Sequence, residues 1–267
     1  TSLFSRFDLN TSQRTAATEA LGDSPMYLIL GPPGTGKTKT SVAIIAQLAH
    51  QIATKGLTEK ILVCGPSNTA VDDLTLKLHK AGVKDLTRVY SCSKEKSGKM
   101  NPEIADLTLS SKIKAMSSEL ERLKNSPSTN PRQYKALKIS LENQVLQQSR
   151  IICCTCSTAG DGRLDNIVFK NVFIDEAAQS IEPETLIPLT FGAQKVILAG
   201  DHKQLGPVIT CDEVKNAGLG RALFERVMSI VKHTMLDCQY RMHPLIAEFP
   251  SKTFYQEKLT THSSVLE

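Results

Sequence analysis

Short apolar runs alternate with amphipathic or turn-bounded segments along most of the chain. Several of these runs are rich in β-branched residues and lack alternating polar positions, as expected for strands that are buried on both faces. This alternation predicts an α/β protein in which helices cover a parallel sheet. The predicted strands are residues 26–30, 60–64, 87–90, 150–155, 171–174, 195–199 and 234–238. The predicted helices are residues 36–53, 69–81, 183–189 and 221–231.

The pattern changes between residues 91 and 149, where Lys, Ser and Glu become more frequent and the strand signal disappears. Apolar residues recur there at helical spacing on both sides of a turn-forming segment, NSPSTNP at residues 125–131. We therefore expect residues 91–149 to form a helical hairpin inserted into a domain made of residues 1–90 and 150–267. The hairpin has a narrow apolar seam. This seam is equally consistent with a solvated spacer and with a surface that contacts a partner or nucleic acid. The seam consists of Ile113, Met116, Leu120 and Leu123 in the first arm and Tyr134, Leu137, Leu141 and Val145 in the second.

Composition narrows the class of protein without naming a function. The chain has 267 residues, of which 40% are hydrophobic and 22% are charged. These values fit one large globular domain with an insertion and exclude wholesale disorder. The net charge of +5 is compatible with a polyanionic partner but is below the strongly basic character of dedicated nucleic-acid binders. No run approaches the roughly 18 apolar residues of a membrane span, so we expect no membrane contact and a cytoplasmic location, with the nucleus as the alternative.

Four of the seven cysteines lie in apolar, strand-like runs. Free cysteine packs as a small hydrophobic residue, so we expect these thiols to be reduced and buried in strands. The CxxC spacing of Cys153 and Cys156 leaves a zinc or redox site as an alternative, although the sequence contains no second pair with this spacing. The four residues are Cys64, Cys153, Cys154 and Cys156.

Residues 31–38, GPPGTGKT, fit the phosphate-binding loop pattern of Gly, four residues, Gly-Lys and a hydroxyl residue. They follow the apolar run 26–30 and open an amphipathic helix, so backbone N–H groups and the helix N-terminus can face phosphates. Lys37 would reach the β- and γ-phosphates of ATP, and the Thr38 hydroxyl would coordinate Mg²⁺. A Gly-Pro-rich turn without a ligand is the alternative. The loop residues are Gly31, Pro32, Pro33, Gly34, Thr35, Gly36, Lys37 and Thr38.

A second candidate block, FIDEAAQ at residues 173–179, ends another apolar run with two acidic residues. A carboxylate at a strand end opposite the loop would give Mg²⁺ a second anchor, and we assign this role to Asp175. Glu176 would then orient and deprotonate the attacking water. The alternative is that acidic residues are favoured here because a helix begins nearby.

Seven ordered blocks of the chain resemble the motifs of superfamily 1 helicases, and specifically the up-frameshift RNA helicases of nonsense-mediated mRNA decay. The GDHKQLGPV and CCTC blocks are most similar to this branch, whereas DEAAQ is closer to senataxin-like relatives, which form the alternative subfamily. The blocks are LNTSQ at 9–13, GPPGTGKT at 31–38, PSNTAVDDL at 66–74, ICCTCSTAGDGRL at 152–164, FIDEAAQ at 173–179, GDHKQLGPV at 200–208 and QYRMHP at 239–244.

The resemblance implies a three-layer RecA-like parallel sheet, with residues 1–90 and 150–267 as the first motor domain of an ATP-dependent 5′-to-3′ RNA helicase. Residues 91–149 would be the inserted helical domain. Relatives continue into a second motor domain that supplies further arginines to the nucleotide cleft. We therefore expect a second RecA-like domain and decay-factor proteins as partners, and poor ATP hydrolysis by this chain alone. The alternatives are a P-loop enzyme unrelated to helicases and a strand-binding module that uses the nucleotide as a switch.

The resemblance also assigns roles to side chains outside the phosphate-binding loop. It implies that Gln13 reads the edge of adenine and that Tyr240 packs on the base or the ribose. It implies that Gln204 senses the γ-phosphate and that Arg241 stabilises its developing charge, a role suited to a cation. Without the resemblance, Gln13 would be interpreted as a surface amide, Tyr240 as a core aromatic and Arg241 as part of a structural salt bridge.

Single-stranded RNA, or DNA, is placed by the same resemblance along the far edge of the sheet. Hydroxyl, amide and backbone N–H groups there are suited to phosphate and sugar oxygens, which position a strand without reading its bases. The alternative is turn chemistry and helix capping, because Ser-Asn-Thr is a typical start of a helix. The candidate strand-binding residues are Ser67, Asn68, Thr69, Thr155 and Ser157.

Overall fold

A computed structural model describes residues 3–125 and 130–266. Residues 126–129 of the predicted NSPSTNP turn lie outside the described residues. The strands are β1 Met26–Leu30, β2 Ile61–Gly65, β3 Leu86–Arg88, β4 Ile151–Thr155, β5 Asn171–Ile174, β6 Lys195–Gly200, β7 His233–Met235, β8 Cys238–Gln239 and β9 Thr260–Thr261. The α-helices are α1 Thr11–Ala20, α2 Lys37–Thr54, α3 Asn68–Lys80, α4 Cys92–Ser97, α5 Leu109–Met116, α6 Ser118–Asn125, α7 Pro131–Gln148, α8 Cys156–Ala159, α9 Glu182–Leu186, α10 Asp212–Val214, α11 Leu223–Val227 and α12 Pro244–Phe254. Tighter or wider helical turns occur at Leu3–Arg6, Pro102–Leu107, Ala177–Gln179, Ile187–Phe191, Lys215–Leu219 and Ser263–Val265.

The first seven strands form one parallel sheet in the order β3-β4-β2-β5-β6-β1-β7, which confirms the predicted RecA-like α/β fold. The prediction of one strand over residues 234–238 is wrong in one respect. The chain leaves the sheet after Met235, and Cys238 pairs with Thr260 in the separate β8-β9 ladder. The carboxyl ends of the seven parallel strands meet at one edge of the sheet, where α/β proteins bind ligands.

Alternate residues of each central strand enter different cores, which produces three layers. In β1, Tyr27 and Ile29 pack with α1, α2 and α3. Leu28 and Leu30 face the opposite core, which includes residues of α5 to α8 and of α11. This two-sided burial explains why the strand sequences are almost continuously apolar. No helix within the described residues is long and apolar enough to cross a membrane.

The inserted segment contains α4 to α7 and differs from a simple hairpin. The first arm is two helices, because Ser117 adopts an extended conformation and its hydroxyl accepts a hydrogen bond from the Leu120 N–H at 3.2 Å. Serine competes with helix backbone in this way and starts a new helix. The seam residues Ile113, Leu141 and Val145 are buried against the sheet core. That part of the seam is therefore core and is not a free surface for a partner.

Two other predicted helices are shorter than expected, and two of the longer helices, α1 and α12, were not predicted. The predicted helix at 183–189 begins as α9 and then tightens at Ile187–Phe191, while the one at 221–231 is reduced to α11. Helix α1 was missed because much of its buried face is alanine, which gives a weak apolar signal. Helix α12 contains Pro250, a residue that normally argues against a helix interior.

The four cysteines are free and buried, as predicted, but only Cys64, Cys153 and Cys154 lie in strands. The prediction of a strand position is wrong for Cys156, which begins α8 directly after β4. Sulfur atoms Cys64 Sγ and Cys154 Sγ lie 3.8 Å apart. Burial raises the pKa of the Cys153 thiol to about 12 and also raises the pKa of Cys64. Protonated, buried thiols are poor nucleophiles and poor metal ligands, which favours a packing role.

Candidate nucleotide site

The phosphate-binding loop connects β1 to α2 in a conformation that glycine permits. Gly34 and Gly36 have φ angles of 76° and 75°, in the left-handed region. A Cβ atom at Gly34 would lie 2.7 Å from Arg241 Cβ, and one at Gly36 would lie 2.6 Å from Gln13 Nε2. Other blocks of the sequence therefore touch the loop, which leaves no room for larger residues. The Thr35 hydroxyl donates to the Pro32 carbonyl at 2.7 Å and closes the turn.

The two acidic residues after β5 lie beside this loop. Lys37 Nζ is 2.5 Å from Glu176 Oε1, with 9% of the lysine and 29% of the glutamate side chain exposed. Glu176 has a φ of 52°, an unusual backbone conformation for a non-glycine residue and one that is often found at functional sites. Its N–H donates to Asp175 Oδ1 at 3.1 Å. The structure thus brings Lys37, Asp175 and Glu176 together beside the loop, and their roles stay predictions.

Asp175 is the buried carboxylate of this group and is 6% exposed. Burial raises its pKa, although the Lys37 ammonium acts in the opposite direction. A carboxylate that lacks water is stabilised as an anion by a nearby cation. Within residues 3–125 and 130–266, no cluster of three or more His, Cys, Asp or Glu side chains is arranged to hold a metal ion. Mg²⁺ with a nucleotide needs fewer protein ligands, because phosphates and waters supply the rest, and the assignment of Asp175 and Thr38 to such a site stays a prediction.

Gln204 is held at the cleft by a residue that the sequence analysis did not select. Its side-chain amide donates to Asp201 Oδ2 at 2.7 Å. Asp201 directly follows β6 and is 3% exposed. The available signal was an acidic residue at the end of a buried strand inside GDHKQLGPV, the same pattern that selected Asp175.

Tyr240 and Arg241 are placed by another residue that was not selected, Gln239. Its side chain is fully buried, and Oε1 accepts hydrogen bonds from the Arg241 N–H at 2.8 Å and the Met242 N–H at 2.7 Å. The Tyr240 N–H donates to the Gly34 carbonyl at 2.9 Å. The QYRM turn is therefore attached directly to the phosphate-binding loop.

Gln13 is buried and bonded within the protein. Its Nε2 donates to the Thr35 carbonyl at 2.9 Å, and its Oε1 accepts from the Asn10 N–H at 3.1 Å. These bonds cap α1 and fix the loop. The Tyr240 hydroxyl accepts from Asn10 Nδ2 at 3.0 Å, and its ring centroid lies 4.5 Å from that of His262. Adenine recognition by Gln13 stays a prediction.

These side chains surround a cleft of about 960 Å³. The phosphate-binding loop forms one wall, and Glu176, Gln204, Tyr240 and Arg241 also line it. Among its described lining residues, six are cationic and one, Glu176, is acidic. A cleft lined mainly by one sign of charge attracts ligands of the opposite sign, here an anion such as a triphosphate. The cationic residues are Arg6, Lys37, Lys39, Lys77, Lys80 and Arg241.

The candidate strand-binding residues lie at the adjacent ends of β2 and β4, where Gly65 pairs with Thr155. The Ser67 hydroxyl accepts from the Ala70 N–H at 3.2 Å and caps α3. Thr155 is 8% exposed and caps α8 by accepting from the Thr158 N–H at 3.2 Å. The capping alternative is therefore seen at both positions. A capping role does not exclude contact with single-stranded RNA, and that contact stays a prediction.

The other candidates at this edge are also bonded or exposed. The Ser157 hydroxyl donates to the Glu184 carboxylate, and Thr69 is exposed. Asn68 Oδ1 accepts from Arg88 Nη2 at 2.7 Å.

Arg88 is a further residue that the sequence did not reveal. It is fully buried, its Nε donates to Asp72 Oδ1 at 2.8 Å, and its guanidinium carbon lies 3.9 Å from the Tyr90 ring centroid. The residues around Arg88 in the sequence did not indicate that it takes part in this network.

A family comparison assigns the chain to a known group. An AAA domain model matches residues 8–126 and 92–212, which together cover most of the chain, and a second AAA domain model matches residues 219–267. The chain belongs to the AAA domain family. Both AAA domain matches lie on the segments that build the cleft.

Similar proteins support the more specific resemblance stated from the motifs. The regulator of nonsense transcripts 1 homolog of Drosophila melanogaster is 44% identical over 262 residues, which cover 94% of this chain and 21% of that protein. The ATP-dependent helicase upf1 of Schizosaccharomyces pombe is 41% identical, over 94% of this chain and 28% of that protein. The resemblance to this type of superfamily 1 helicase is confirmed. The chain spans 21% and 28% of the lengths of these two relatives.

Among solved structures, the PRRSV helicase gives a TM-score of 0.46 at 14% identity, and covers 95% of this chain and 38% of that chain.

Proposed function

We propose that this chain is the ATP-binding and ATP-hydrolysing first motor domain of a 5′-to-3′ RNA helicase that acts in nonsense-mediated mRNA decay. The observation that carries the proposal is the cationic cleft in which Lys37 meets Glu176 at 2.5 Å beside Asp175. The relatives that are named helicases and regulators of nonsense transcripts support the same function. A location in the cytoplasm follows from this function.

The geometry suggests how the residues act on ATP. In the present structure Glu176 neutralises Lys37, so a triphosphate must replace the glutamate as the partner of Lys37. The released carboxylate can then accept a proton from the attacking water, which is general-base catalysis. Arg241, which lies against Gly34 of the loop, would stabilise charge that develops on the γ-phosphate. Gln204 would report the presence of this phosphate.

Mg²⁺ would be held by Asp175 and Thr38 together with phosphate oxygens and waters. When bound, it would neutralise the phosphates during transfer. The position of Asp175 supports this assignment, because its buried carboxylate directly follows β5 and lies close to the Lys37 ammonium.

The ends of β2 and β4 would hold single-stranded RNA without reading its bases. Ser67 and Thr69 are exposed there, and Ser157 lies at the adjacent strand end. A second RecA-like domain and decay-factor proteins are the partners that this function requires.

The test is ATP hydrolysis by the full-length protein that contains this chain, with poly(U) and with poly(dT). We expect poly(U) to stimulate turnover more strongly, because 2′-hydroxyl groups add contacts in RNA. Hydrolysis that neither polymer changes would contradict the helicase assignment and favour another kind of P-loop enzyme. Stronger stimulation by poly(dT) would assign the motor to DNA.

A further inference from the structure

A buried tyrosine outside the sequence motifs is connected to the nucleotide cleft through a shared carboxylate. Tyr255 directly follows α12 and is 4% exposed. Its hydroxyl donates to Asp201 Oδ2 at 2.7 Å, and Gln204 Nε2 donates to the same oxygen at 2.7 Å. We propose that Tyr255 is a positioning residue for ATP hydrolysis and acts on Gln204 through Asp201. This inference rests on the function proposed above.

The Asp201 carboxylate depends on the protein for its hydrogen bonds because it is 3% exposed. Its second oxygen, Oδ1, accepts from the Lys203 N–H at 3.0 Å. Three donors on two oxygens fix the plane of the carboxylate and keep Oδ2 within reach of Gln204. Without the Tyr255 hydroxyl, the carboxylate can turn about its last single bond.

Packing does little to hold Gln204 in place. Gln204 itself is exposed, and the next residue, Leu205, is 89% exposed. The hydrogen bond to Asp201 is therefore the main side-chain restraint that the structure shows on Gln204. Burial and the Asp201 carboxylate raise the pKa of Tyr255, so its hydroxyl keeps its proton and stays a donor at neutral pH.

Helix α12 lies between two residues that contribute to the cleft. Arg241 precedes its first turn, and Tyr255, which is linked to Gln204 through Asp201, follows its last. Helix α12 begins three residues after Arg241 and ends directly before Tyr255, a distance of about 16 Å for its length. Gln256 and Glu257 follow with φ angles of 55° and 61°, and the Glu257 N–H donates to the Ser251 carbonyl at 2.9 Å. This tight turn holds Tyr255 against the core. A shift of α12 would therefore reach Arg241 at one end and the Asp201 link at the other.

The test is Tyr255→Phe in the full-length protein, with kcat and KM for ATP measured at saturating RNA. We expect kcat to fall about tenfold, the order expected for losing a hydrogen bond to a charged group, and KM to change less than about twofold. In a Gln204→Ala background, Tyr255→Phe should cause no further loss, because both changes break the same link.

The matched control is Tyr27→Phe. Tyr27 is also buried and donates to a carboxylate, Glu19 Oε2, at 2.7 Å, but it is not among the cleft residues. It should lose comparable thermal stability and keep the parent kcat. An equal loss of kcat in this control would show that Tyr255 acts through stability alone and would overturn the proposal.

The remaining outcomes separate this inference from the proposed function. Independent, multiplicative losses from Tyr255→Phe and Gln204→Ala would overturn the Tyr255 link and leave the helicase assignment intact. A parent protein without ATP hydrolysis would contradict the proposed function itself. If Tyr255→Phe does not fold, Asp201→Asn tests the same link, and its loss should likewise disappear in the Gln204→Ala background.

Discussion

The nucleotide cleft follows β1, and the proposed RNA-binding region, here called the strand edge, follows β2 and β4. Both regions lie at the carboxyl ends of the sheet strands, but they use their polar side chains differently. The cleft contains an ion pair between Lys37 and Glu176 that a ligand can replace, and cations exceed acidic groups on its walls. At the strand edge, the Ser67 and Thr155 oxygens cap helices, and Asn68 is held by a buried arginine. In the cleft, side chains become available to a ligand when it replaces the ion pair. At the strand edge, the polar side chains are already hydrogen-bonded within the protein.

The difference follows from the ligands that the two regions would bind. A triphosphate is compact and highly charged, so cations and loop N–H groups must converge on it. A strand bound without regard to sequence needs donors spread along a surface, and backbone N–H groups at helix starts can supply them. Capping residues at the strand edge can therefore contribute by fixing the backbone even when their hydroxyl groups are used internally.

The largest expected effect tests the replaceable ion pair. Glu176→Gln keeps the shape of the side chain but removes the base, so turnover of the full-length protein should fall by about 10²- to 10⁴-fold. Nucleotide affinity should rise, because the neutral amide competes less well than a carboxylate for Lys37. Steady-state hydrolysis and titration with a fluorescent ATP analogue measure the two effects. The control is Glu182→Gln, a partly exposed carboxylate 2.7 Å from Arg226 Nε, and unchanged turnover in Glu176→Gln would reassign Glu176 to a structural role.

The next effect tests whether the cleft depends on its lysine. Lys37→Ala removes the charge that faces the phosphates, so affinity for ATP–Mg²⁺ should fall by about 100-fold, as expected for losing a charge-assisted contact. RNA affinity without nucleotide should not change, because Lys37 belongs to the cleft and not to the strand edge. Calorimetric titration of each ligand checks both expectations. Lys55→Ala, at the exposed far end of α2, is the control, and tight ATP binding by Lys37→Ala would refute the site assignment.

A smaller effect is expected from the arginine that supports the strand edge. Arg88→Lys keeps the positive charge near Asp72 but cannot reproduce the guanidinium fork that also holds Asn68. The free energy of unfolding should fall by about 2 kcal/mol, and RNA affinity by about fivefold, as expected for lost hydrogen bonds to buried groups. ATP affinity should stay at the parent value. Urea unfolding and fluorescence anisotropy measure these quantities, and equal weakening of ATP and RNA binding would show that the two regions are not separate.

The sequence predicted the sheet and the cleft because both depend on local patterns. Each of the seven strands was found from an apolar run, and the GK[ST] spacing identified the loop with Lys37. Asp175 and Glu176 followed from an acidic pair at a strand end. In each case neighbouring residues along the chain carried the information.

The residues that the sequence missed act across long distances in the chain. Arg88 in β3 donates hydrogen bonds to Asp72 and Asn68 of α3. Gln239 fixes the backbone of Arg241, which lies against the phosphate-binding loop some 200 residues earlier in the chain. Local propensity does not report such contacts. The break at Ser117 was also missed, since helical spacing of apolar residues continues through it while the serine hydroxyl ends one helix and begins the next.

The smallest expected effect decides what the Thr155 hydroxyl contributes. It accepts from the Thr158 N–H at 3.2 Å and lies 2.8 Å from the Thr158 hydroxyl, within a residue that is 8% exposed. Thr155→Val keeps the β-branched shape for β4 and removes the cap, so unfolding should become easier by about 1 kcal/mol. RNA affinity of the folded protein should stay within about twofold, whereas Thr69→Ala, at an exposed position, should weaken it by a few-fold, on the order of 1 kcal/mol. Denaturation and RNA titration on the same samples separate these outcomes. A larger loss of RNA affinity in Thr155→Val than in Thr69→Ala would show that the Thr155 hydroxyl itself contacts the RNA. The difference between the nucleotide cleft and the strand edge would then not hold at Thr155.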